Sequence, residues 1–250
     1  MNSEFRLINI PPSHYCEKAR WALDRVQVAY REEGHPPLLH WRAVKAAGGG
    51  RTVPVLVADG EVLTDSTDIL QFLDATYTEE WRPYPMDSGL RVQCEELEEI
   101  FDTRLGPHTR RLAYFHLLPN RRLLTEAVSP GVGGGELATF KVALPVVRWL
   151  MRRGMNITPV SAQRSLDRVR TVFETVAEKI ADGRRFLVGD RFTAADLTFA
   201  ALAAPVLLPR DYGSALPALD AVPAEFLALI EEFRSLPAGE FALRMYRDLR

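Results

Sequence analysis

The chain has 250 residues, 47% hydrophobic and 26% charged, with a formal charge of −2 at neutral pH. This length favours two domains over one large one and supplies ample apolar material for a core. The near-neutral balance gives no electrostatic reason to expect nucleic acid or an acidic membrane surface as partner. Two cysteines, Cys16 and Cys94, stand far apart without a pairing framework, which suits a reducing, cytoplasmic setting better than secretion.

The start, Met1 to Glu4, lacks the basic and long apolar regions of a signal peptide. Phe5 to Ile10 (FRLINI) is a short apolar run closed by Pro11-Pro12 and predicts a buried strand. Tyr15, Ala19, Ala22, Leu23 and Val26 then fall on one face of a helix, with Ser13 placed to cap it. After an unclear middle, Thr52 to Val57 (TVPVLV) predicts a strand, and Asp59-Gly60 a hairpin turn into Glu61 to Leu63. Asp65-Ser66 opens another helical pattern through Tyr77.

Thr78 to Gly89 carries Pro83, Pro85 and Gly89 and reads as a linker. The expected organisation is therefore residues 1–78, a linker over 79–89, and an all-helical part over 90–250. Leu90, Cys94, Leu97, Phe101 and Leu105 form one long helical stripe, with Glu95, Glu96, Glu98, Glu99 and Asp102 as a solvated acidic face. Leu166 to Ile180 forms a second stripe. Ser129 to Glu136 between them reads as a flexible loop, within an unusual stretch from Leu117 to Thr158. Two greasy stretches, Leu137 to Met151 and Leu197 to Leu208, are broken or too short to span a bilayer and are expected to be buried helices. Thr193 and Asp196 have capping-box spacing before the second, which predicts the central buried helix. No His, Cys, Asp and Glu set has metal-ligand spacing.

Pro12 to Arg20 (PSHYCEKAR) lies where the first strand gives way to the first helix. A helix start offers unpaired N–H groups and partial positive charge, and so favours an anion such as a thiolate. The segment Ser13-His14-Tyr15-Cys16 resembles a serine version of the glutaredoxin C-P-Y-C motif. Thr52-Val53-Pro54-Val55-Leu56 is similar to a V-P-x-L strand with a cis proline. Asp65-Ser66 matches an acidic-Ser pair opening the third helix, and Phe192 to Asp196 resembles the capping box of a central helix. In this order, the four motifs resemble the glutathione transferase family.

That resemblance implies a thioredoxin-like βαβαββα domain followed by a helical bundle, α/β plus all-α. It implies glutathione as cosubstrate, no metal, a small apolar electrophile as second partner, and a homodimer. Carried over, Ser13 donates to the glutathione sulfur and Val53 offers its backbone, with Pro54 turning that backbone to the site. Asp65 and Ser66 bind the γ-glutamyl end. His40, or Arg42 or Lys45, holds the glycine carboxylate. His14, Tyr15, Arg111 and Tyr114 border the electrophile pocket, although His14 also reads as an exposed loop residue. Lowering a thiol pKa from about 8.5 by one or two units asks for roughly 1.4–2.7 kcal/mol. One charge-assisted hydrogen bond supplies about 1.5–3 kcal/mol and a helix end about 0.3–1 more. Two other readings stay open. One is a non-catalytic scaffold of the same fold; the other is a thiol oxidoreductase using Cys16, which requires that cysteine to be exposed.

Overall fold

The computed structural model describes residues 5–77 and 81–250. The first part runs β1 (Phe5–Asn9), α1 (His14–Arg25), β2 (Tyr30–Gly34), α2 (His40–Ala46), β3 (Val55–Ala58), β4 (Glu61–Leu63) and α3 (Ser66–Thr76). Its strands form a mixed sheet in the order β2-β1-β3-β4, with β1 parallel to β2 and antiparallel to β3. This is the expected βαβαββα arrangement. β1 is apolar on both sides because both are covered. Leu7 packs into the main core with α1 and α3, while Ile8 joins Val44 and Val55 in a small cluster beneath α2.

The unclear middle resolves into β2 and α2. β2 reads YREEG and escapes hydrophobic patterning because it is an edge strand held by polar partners. Its Glu33 accepts from Arg6 at 2.9 Å, and its Glu32 accepts from Asn9 at 2.6 Å and from Arg20. β3 begins later than Thr52, after the cis Val53–Pro54 bond, since proline has no N–H for a ladder.

The second part runs α4 (Ser88–Arg104), α5 (Gly106–Leu117), α6 (Arg121–Val128), α7 (Gly134–Gly154), α8 (Pro159–Lys179), α9 (Ala194–Leu207), α10 (Ala224–Ser235) and α11 (Pro237–Leu249). α9 is the central helix: every residue in it except Pro205 is buried, and α1, α4, α5 and α11 pack around it. The capping box is formed as its spacing predicts. Asp196 Oδ2 accepts from the Thr193 N–H and hydroxyl, each at 2.9 Å, and Oδ1 accepts from the Leu187 N–H at 2.7 Å.

Four expectations change. The first stripe ends at Arg104, and Gly106-Pro107 starts a separate helix, Pro being favoured in a first turn. The acidic face is not all solvated: Glu98 is buried and, with Asp102, holds the buried Lys18 of α1 at 2.8 and 2.6 Å. The loop read over Ser129 to Glu136 gives way to α7 at Gly134. Within α7 only Phe140, Leu144 and Val147 are buried, while Val142 is 84% exposed, so this greasy helix is one-sided. Part of the expected linker, Thr78 to Glu80, lies outside the described residues. Beyond it Trp81 and Tyr84 are buried, and Trp81 Nε1–H donates to the Phe192 carbonyl at 2.9 Å.

Candidate active site

Pro11-Pro12 ends β1, and Ser13 takes the N-cap position of α1 with extended backbone. Its hydroxyl makes no capping bond. Instead it lies beside the Cys16 thiol and faces a chamber between the two parts of the chain. Cys16 is fully buried, and burial pushes its thiol up, away from thiolate. The exposure that an oxidoreductase role requires is not found.

His14 is not an exposed loop residue. It is 2% exposed, and its Nε2–H donates to the Gly106 carbonyl at 2.9 Å. Burial first, and the Arg110 guanidinium second, hold its pKa down at about 3, so the imidazole is neutral near pH 7. The Tyr15 hydroxyl donates to the Asp102 carbonyl at 2.7 Å, and burial pushes its pKa up. α1 and α5 approach so closely that a Cβ on Gly106 would collide with the Tyr15 hydroxyl, which requires glycine there.

The chamber has a volume of roughly 380 Å³ and brings together Ser13, His14, Tyr15, His40, Val53 and Tyr114. Pro54 is buried behind Val53. Asp65 and Ser66 lie outside the lining, but Asp65 is near enough to Tyr15 to influence its ionisation. Asp65 caps α3 with Oδ1 accepting the Thr67 N–H at 2.8 Å, and Ser66 begins that helix. His40 is buried, and its Nε2–H donates to the Arg51 carbonyl at 3.0 Å. Its Nδ1 is buried without a partner, and burial lowers its pKa. A neutral His40 therefore has no spare N–H for a carboxylate. Arg51, which the motif reading passed over, sits on the chamber rim above the Trp41 ring at 5.3 Å.

Of the two arginines on α5, Arg111, expected at the pocket border, turns towards α8 instead. Arg111 donates to the Met155 carbonyl and the Ser165 hydroxyl, both at 3.0 Å, and ties α5 to α8. Arg110, not Arg111, lines the chamber together with Tyr114. Helical spacing carried that signal, because residues four apart share a face. The unusual stretch after Leu117 supplies the roof: Leu123 and Leu124 of α6 and Phe140 and Leu144 of α7 close over the chamber. His35 anchors this roof, lying 2.7 Å from Glu136 through Nδ1 and 3.0 Å from Glu33 through Nε2, next to a backbone bridge between Gly34 and Val132. Among the described residues no cluster suited to a metal occurs, and no helix is long and apolar enough to cross a membrane.

This geometry has counterparts elsewhere. Residues 7–81 match the model of the glutathione S-transferase N-terminal domain, and residues 142–233 match that of its C-terminal domain. Mouse glutathione S-transferase theta-2 is 30% identical over 145 residues, covering 58% of this chain and 47% of that protein. The chain thus spans about half the length of the curated relatives it matches. Glutathione transferase GSTFuA3 from Phanerochaete chrysosporium superposes with a TM-score of 0.66 at 16% identity, covering 100% of this chain and 98% of that one. A glutathione S-transferase from Methylobacterium radiotolerans JCM 2831, in complex with glutathione sulfonate, gives 0.57 at 17% identity, covering 96% and 95%. With both domain models matched over more than half its length and the same fold throughout, the chain belongs to the glutathione S-transferase family.

Proposed function

We propose that the protein is a glutathione transferase in which the Ser13 hydroxyl stabilises the glutathione thiolate for attack on an apolar electrophile. The observation that carries this reading is the placement of Ser13 on the chamber wall at the start of α1. A serine at an N-cap normally accepts from the backbone; here the hydroxyl makes no such bond, its neighbour is the un-ionised Cys16 thiol, and the residue lines the chamber. Hydroxyl and helix end together match the roughly 1.4–2.7 kcal/mol that thiol ionisation requires. In the reaction the sulfur lone pair forms a C–S bond, and the electrophile's leaving group departs with its bonding electrons.

Support for the binding mode comes from the thioredoxin side. Val53 borders the chamber with its backbone available for strand-like pairing with the cysteinyl unit. Asp65 Oδ2 makes no hydrogen bond among the described residues and can take the γ-glutamyl ammonium. Ser66, at the start of α3, offers its end of the helix to the carboxylate. We assign the glycine carboxylate to Arg51 in preference to His40. No corresponding arrangement supports Cys16 as the reacting group, since its thiol is buried and un-ionised.

Thermal unfolding with millimolar glutathione tests the reading. Glutathione at 100 times its dissociation constant adds about 2.7 kcal/mol, a shift that Asp65→Ala with Ser66→Ala should abolish. Ser13→Ala should keep most of that shift and raise the pKa of the bound thiol by about one to two units, read by ultraviolet titration of the thiolate. An unchanged thiol pKa in Ser13→Ala would remove Ser13 from the mechanism. No shift at any glutathione concentration would remove the transferase.

A further inference from the structure

Among the described residues Arg110 has no hydrogen-bond or ion-pair partner, and on the transferase reading that identifies the class of electrophile. It precedes Tyr114 by one helical turn and lines the chamber with it. The guanidinium lies close enough to His14, Tyr15 and Tyr114 to influence all three. Among the described residues it makes no salt bridge and no hydrogen bond, and its Nε is shut off from solvent with no acceptor. None of the residues lining the chamber is acidic. A guanidinium keeps its charge and its five donors at any ordinary pH, so this one is left with its demand unmet.

The rest of the chamber meets a different need. Trp41, Leu123, Phe140, Leu144 and Met151 present apolar walls, which suit a flat hydrocarbon skeleton. On the proposed binding mode Ser66 and Arg51 take the carboxylates of glutathione, leaving Arg110 for the second substrate. We propose that the electrophile carries one carboxylate-type anion on an apolar, aromatic-sized skeleton, and that Arg110 grips this anion from the wall beside Ser13. The planar fork of the guanidinium pairs with a carboxylate through two parallel bonds, which would fix the orientation of the electrophile as well as its affinity.

The test compares two molecules that differ only in charge. Naphthoate and naphthamide each displace the neutral fluorophore N-phenylnaphthylamine from the full-length protein saturated with glutathione. We expect naphthoate to compete roughly tenfold better in the wild type. Arg110→Met should erase that preference while leaving naphthamide unchanged, and Arg110→Lys should keep part of it. Equal competition by the two in the wild type overturns the proposal, as does a preference that survives in Arg110→Met. So does an Arg110→Met protein that loses the thermal shift with glutathione, because Arg110 would then be holding glutathione. A naphthoate preference in a protein that shows no glutathione shift counts against the transferase reading and leaves the anion site standing.

Discussion

Lowering the pH should loosen this protein through His14, and the size of the effect follows from where that ring sits. The imidazole is buried, donates to Gly106 and is held to a pKa of about 3, against 6.5 for an unperturbed histidine. The folded state therefore binds a proton less readily than the unfolded state. Stability from this group is present above pH 6.5 and falls away as pH drops towards 3. Each pH unit inside that window removes about 1.4 kcal/mol, so moving from neutral pH to pH 5 removes about 2 kcal/mol. For a protein of this size that is a fall of roughly 4–8 °C in melting temperature. His14→Gln keeps a side-chain N–H able to reach Gly106 but cannot titrate, so its difference from wild type isolates His14 from His40 and His108. Calorimetry at both pH values should show wild type losing about 2 kcal/mol more than the variant. If the two melting temperatures fall in parallel, His14 is not buried in its neutral form and the contact with Gly106 is wrong.

Substitutions at three further positions probe the frame around the site. Lys18→Met should destabilise by about 3–5 kcal/mol, because it strands the buried carboxylates Glu98 and Asp102 without their cation; urea denaturation reads it, and a loss under about 1 kcal/mol would refute the pairing. Asp196→Ala removes the acceptor for three donors at the head of α9 and should cost about 3 kcal/mol or more; Asp196→Asn should recover part of that loss. Phe140→Ala should open the roof alone. Hydrogen exchange in α6 and α7 should accelerate by orders of magnitude while α9 keeps its protection, and equal acceleration in both would show that the roof and the bundle unfold together.

Much of the fold was legible because its signals are local or periodic. β1 announced itself as an apolar run between polar neighbours, α9 as a capped apolar helix, and the Val53–Pro54 and Asp65-Ser66 pairs as motifs. β2 was not, since an edge strand satisfied by Arg6, Asn9 and Arg20 needs no hydrophobic alternation. The acidic run on α4 misled because Glu98 and Glu95 are chemically alike, and only the approach of Lys18 from α1 separates a buried partner from a solvated one. The same limit applied at the site. Ser13 and Val53, singled out by motif, both line the chamber, whereas its opposite wall is assembled from helices that carry no motif. There the choice between Arg110 and Arg111 turned on which face of α5 meets α8.

The roof has its own small core. Val128, Phe140, Leu144 and Val147 cluster apart from the residues that hold the bundle together, and the whole is pinned to the thioredoxin half at His35 and Gly34. Mutations there can accumulate without eroding the stability of the bundle, since they draw on a separate set of contacts. On the proposed transferase reading, the roof over the chamber is thus free to drift under selection for new chemistry, while the wall around Ser13 stays fixed by the frame around α1. Descendants of this protein would be expected to diverge fastest between Leu117 and Thr158, reshaping the chamber's roof long before the wall built on α1.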